Sequence, residues 1–169
     1  MKLSSILPES GVQIECDGYV PLIARSVGCK AFPLWYWRTG DFKKSLIEVG
    51  VDPSSGAICK ITVLCLAGIG SHASQMADLS ATQAGLPCIS LEDWAGASRK
   101  DVEQPVEAAL IGNRLVLHFG PPRGQLSTAI RNGRVVFQVD QSGVICGIEI
   151  LDLSTKELEE FRYAVGMRA

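Results

Sequence analysis

Apolar residues in this chain recur at every second position far more often than at helical spacing, in short runs broken by Asp, Ser, Gly and Pro. The stretch GVQIECDGYVPLIA alternates around Asp17-Gly18 and predicts a strand or small hairpin. A turn at Arg38 to Asp41 then leads into a strand from Ser45 to Val51. Further strands are predicted over Asn113 to Gly120 and Arg134 to Asp140. Helical spacing governs only the end of the chain. There Ser154-Thr-Lys-Glu157 is a capping box, and Leu158, Phe161 and Val165 form one apolar stripe.

One phrase occurs twice. VDPSSGAICKITVL at Val51 to Leu64 and VDQSGVICGIEIL at Val139 to Leu151 share an Asp, a Ser-Gly and an Ile-Cys-x-Ile run, displaced by 87 to 88 residues. Each predicts a β-hairpin in which Asp and Ser bond the local backbone and Gly supplies a positive φ. Simple alternation places Ala57, Cys59, Ile61, Val63 and Cys65 on one face of the first outgoing strand. It places Val144, Cys146, Ile148 and Ile150 on one face of the second. Two explanations stand: an ancient duplication, or two hairpins that converged on good turn chemistry.

These elements predict an α+β protein, mainly antiparallel sheet, with two similar hairpins and a C-terminal helix. Residues 1–169 form one domain, whose β-rich parts (about 12–66 and 113–153) are joined by an irregular segment, 71–109. In that segment Ser90 to Asp93 and Ser98 to Asp101 suggest short helical turns. Alternation sends Trp35 and Trp37 to one side of a strand and Tyr36 to the other, which favours core tryptophans over a stacking platform.

Composition narrows the function classes. With 16 basic and 18 acidic residues the net charge is −2 and the pI about 5.7, so no cationic field attracts nucleic acid. The longest apolar run, Ile61 to Gly70, is too short to span a membrane. The first residues lack the apolar core of a secretory signal, which predicts a cytoplasmic protein. Six cysteines without a CxxC pair are then expected to be reduced and buried, with neither bridges nor metal. No cofactor is expected.

Candidate chemistry is sparse. His118 shares a strand face with Val116 and reads as structural, while His72 follows a glycine-rich turn that lacks a nucleophile elbow or a phosphate loop. Cys88 is the best placed of the thiols for a Cys-His pair. Glu92 and Asp93 are adjacent, so they point apart and make no acid–base pair.

The unit LIEVGVDPSSGAICKITVL resembles a hairpin of bacterial immunity proteins that neutralise polymorphic or contact-dependent toxins. The second unit, VVFQVDQSGVICGIEILDLS, is similar to the end of a family of short bacterial proteins with an Asp-x-x-Gly turn before GIEIL. The resemblance implies a cytoplasmic, non-catalytic protein that binds and blocks a toxin domain through an acidic surface. The partner-binding residues expected are Glu92, Asp93 and Trp94, an exposed aromatic anchor flanked by carboxylates. Two other readings are a small hydrolase or ligand-binding enzyme using residues 68–93, and a homodimeric assembly protein whose paired hairpins form a shared sheet.

Overall fold

The hairpin patterns assemble into two facing six-stranded sheets. The computed structural model describes residues 1–120 and 126–167. Its strands are β1 (Leu3–Leu7), β2 (Val12–Glu15), β3 (Leu22–Ser26), β4 (Trp35–Gly40), β5 (Leu46–Val51), β6 (Ile58–Cys65) and β7 (Thr82–Ala84). They continue with β8 (Leu86–Ile89), β9 (Arg99–Glu103), β10 (Val106–Ile111), β11 (Arg114–Phe119), β12 (Leu126–Asn132), β13 (Val135–Asp140) and β14 (Ile145–Ile150). The helix α1 spans Thr155–Ala164. The fold is α+β and mainly antiparallel β, as expected.

Sheet I has the order β2-β3-β6-β5-β4-β9 and sheet II the order β10-β11-β14-β13-β12-β7. In each, two antiparallel hairpins nest together and the last strand is added in parallel, β9 along β4 and β7 along β12. Each sheet therefore takes its final strand from the stretch of chain that runs toward the other. Their inner faces share one core, in which Ile47, Val49, Ile61 and Val63 meet Leu115, Leu117, Phe137 and Ile148. The α1 stripe closes this core with Phe161 fully buried and Leu158 and Val165 packed against it.

Segment 71–109 is irregular only in part, chiefly over residues 71–78. It contributes β7, β8, β9 and most of β10, and it carries strand where Ser98 suggested a helical turn. Arg99 to Glu103 has no apolar period of its own; the exposed edge of β4 organises it by backbone pairing.

The repeated phrases form matching hairpins, each with the same defect. The register slips by one residue between Gly50 and Val51 opposite Cys59, and between Gln138 and Val139 opposite Cys146. This β-bulge reverses the alternation, so Ile58 joins Ile61 in the core and Ile145 joins Ile148, while each cysteine leaves that face. The shared-face expectation for Cys59 with Ile61 and Cys146 with Ile148 is thus corrected. Cys59 is bridged to Cys29, against the expectation of six reduced thiols. The other four cysteines are not bridged, and burial raises the thiol pKa of Cys88 and lifts that of Cys16 to about 11.

Each turn is fixed twice. Asp52 accepts bonds from the Ser54 N–H and both serine hydroxyls, and Asp140 accepts from the N–H groups of Ser142 and Val144. The two turns are also caught by the β1–β8 pair: Gly56 O accepts from Ile89 N at 2.9 Å, and Gly143 O accepts from Leu3 N at 2.8 Å. Both glycines have a positive φ, but a Cβ on Gly56 would stand 2.2 Å from Ile89 O, whereas one on Gly143 would meet open space. Denaturant melts should show Gly143→Ala costing about 1 kcal/mol and Gly56→Ala about 2 to 3 kcal/mol. Equal losses would mean that β8 does not press on the first turn.

At the start of α1 the capping box forms as expected, and Glu157 is also held by Arg134 at 2.8 Å. That guanidinium lowers the Glu157 pKa from its ordinary 4.5 to about 2. A carboxyl whose folded pKa is depressed stabilises the protein above the unfolded value, and the contribution is lost as pH falls through the folded one. Stability should therefore decline between about pH 4.5 and pH 2, and Glu157→Gln should flatten that part of a stability-versus-pH curve. An unchanged curve would count against this pairing.

Candidate functional site

After β8 the chain leaves the sheets and turns over a 3-10 helix, Glu92–Trp94. Ser90 accepts from Glu92 N at 3.4 Å, Trp94 N donates to Leu91 O, and the turn exits through Ala95 and Gly96, both at positive φ. The sequence signal at Ser90 thus gives a short turn, though not the reciprocal bonds of a capping box. Ser90 N also donates to Lys2 O, which ties the turn to the first residues of the chain.

Trp94 is buried, 4% exposed, with its ring stacked on Trp35 at 6.0 Å. The expectation of an exposed aromatic anchor is corrected here. The apolar indole gains more from the inter-sheet core than from solvent, and Trp35, placed by β4, offers it a flat partner. Glu92 and Asp93 do stand outside, the Asp93 side chain at 81% exposure with Lys100 Nζ 3.8 Å away. The buried indole therefore pins a turn that presents two carboxylates.

Beside this turn lies a groove of about 320 Å³, lined from both sheets. Trp37, Trp94 and Phe119 give it apolar walls, and Lys2, Asp93 and Lys100 give it charge. Trp37 and Phe119 meet edge to face at 5.4 Å, so this apolar wall spans the two sheets. Sequence reasoning missed Lys2, Trp37, Gln104 and Phe119 as groove residues. They come from four separate parts of the chain, and no local pattern joins them.

Glu107, His118 and Ser74 meet on the outer face of sheet II. Ser74 Oγ lies 3.0 Å from Glu107 Oε2 and 3.2 Å from His118 Nδ1, while the buried His118 Nε2 has no hydrogen-bond partner among the described residues. Serine and carboxylate both lie toward Nδ1, so the imidazole does not stand between nucleophile and acid as in a hydrolytic triad. The group fastens the segment after Gly70 across the sheet. Nearby, Ala77 N donates to Glu149, which also holds Arg114 and Gln138. His72 is exposed, and Cys88 is 1% exposed in β8, where burial disfavours its thiolate. Among the described residues no cluster of three or more His, Cys, Asp or Glu is placed to hold a metal. None of their helices is long and apolar enough to cross a membrane.

No protein-family model matches the chain, and comparison with curated proteins finds no match either.

Proposed function

We propose that the chain is a non-catalytic binding module of immunity type that binds and blocks a toxin domain. The observation that carries this reading is the fixed acidic turn: Glu92 and Asp93 are exposed while Trp94, the next residue, is locked in the core. Carboxylates held in this way lose little conformational freedom on binding and steer a basic partner to the surface. The groove beside them offers aromatic walls to an apolar side chain of the same partner. In this role Trp94 positions the two carboxylates and is not itself the anchor.

The direct biological test is protection. The toxin domain encoded by the adjacent gene should arrest cells that express it alone and be tolerated when this chain is co-expressed. Glu92→Lys with Asp93→Lys should abolish protection at unchanged protein level. Full protection by that variant would remove the proposed surface, and no protection by the wild type would remove the immunity reading.

A further inference from the structure

The outer face of sheet I carries a second recognition feature, independent of the acidic turn. Strand register places Gln13, Arg25, Lys60, Gly50, Tyr36 and Arg99 in one row across all six strands. Arg25 and Lys60 are direct cross-strand partners, an arrangement of like charges that costs stability. Among the described residues neither has a carboxylate within ion-pair distance. In the next row, by contrast, Arg38 is held by Asp101 through two bonds of 2.8 Å and faces Glu48. Among the described residues of these two rows, Arg25 and Lys60 are the cations without an ion pair.

The 27–34 loop stands over this row. The Cys29–Cys59 bridge fastens it beside Lys60, and Leu34 fills the space left by the missing side chain of Gly50. Between loop and sheet lies a cleft of about 420 Å³ lined by Arg25, Lys60, Tyr36 and Phe32. Phe32 is 95% exposed, an unusual position for a phenyl ring, and Val27 beside it is also exposed. Burial, and after it the charge of Arg25, lower the Lys60 pKa, and the carboxylates of Glu48 and Glu15 offset this only in part.

We infer that this cleft docks an acidic segment of a protein partner, with a carboxylate between Arg25 and Lys60 and a neighbouring apolar side chain against Phe32 and Tyr36. Two cations side by side on neighbouring strands, lining one cleft, suit a single carboxylate. A polyanion fits less well, because Glu15 and Glu48 follow in the next row and would repel a continuous phosphate backbone.

Amide NMR on the intact, bridged protein tests this with three probes: the capped peptide Gly-Asp-Phe-Glu-Gly, its counterpart Gly-Asn-Phe-Gln-Gly, and a thymidine octanucleotide. The acidic peptide should give saturable shifts at Arg25, Phe32 and Lys60, and the neutral one should bind about tenfold more weakly. Lys60→Glu should abolish the shifts and Phe32→Ser should weaken them. Arg25→Gln serves if the Lys60 variant loses spectral dispersion. Equal binding of the two peptides, or no saturable shift with either, overturns the proposal. Tighter binding of the octanucleotide at the same residues overturns it in favour of single-stranded nucleic acid.

Discussion

Glu149→Ala is expected to destabilise the protein by about 3 to 5 kcal/mol, among the largest losses a single substitution gives here. Glu149 is fully buried on the outer face of sheet II, where it accepts from Arg114, from the amide of Gln138 and from Ala77 N at 2.7 Å. Removing it strands a largely buried guanidinium and leaves two buried donors without an acceptor. Arg114 also donates to Ala77 O at 3.1 Å, so the same loss loosens the segment that crosses the sheet. Urea melts of the wild type, Glu149→Ala and the paired Arg114→Met/Glu149→Met variant separate the two contributions. The pair should lose much less than the single variant, because it leaves no unpaired charge. A loss below about 1 kcal/mol for Glu149→Ala would place the ion pair in solvent.

Breaking the Cys29–Cys59 bridge is the second large effect. It closes a loop of 30 residues, and the chain entropy that such a loop removes from the unfolded state corresponds to about 3 to 4 kcal/mol. Cys29→Ser should lower stability by that amount in a denaturant melt without reductant and be nearly silent with reductant present. The intact mass should show one bridge, with Cys16, Cys65, Cys88 and Cys146 as thiols. A protein carrying six thiols would contradict this.

The bridge also shows where the sequence stops informing. Alternation places Cys59 with Ile61 on the apolar face, but the extra residue opposite Gly50 and Val51 turns it outward to meet Cys29. A bulge belongs to the pairing of two strands, so neither strand records it alone. The turns were legible because Asp52, Asp140 and Ser154 bond backbone groups within a few residues. The helix was legible for the same reason, and its stripe of Leu158, Phe161 and Val165 reaches the core as read. The parallel strands β7 and β9 were hidden, since edges distant in sequence induce them.

The candidate site divides along the same line. The exposure of Glu92 and Asp93 follows from a local turn, whereas the burial of Trp94 depends on Trp35, set opposite by a different strand. The five antiparallel strands follow one order in both sheets and share the bulge at the cysteine, which a duplicated unit would produce, whereas the parallel edge strand comes after them in sheet I and before them in sheet II. Convergence on good turn residues would account for the turns alone.

Calorimetric titration of the purified chain into the product of the adjacent gene, the toxin domain of the proposal, tests the binding claim most directly. Saturable binding is expected for the wild type, with a loss of at least about 2 kcal/mol for Glu92→Ala with Asp93→Ala at an unchanged melting temperature. No heat of binding from the wild type, or undiminished affinity in the double variant, would contradict it.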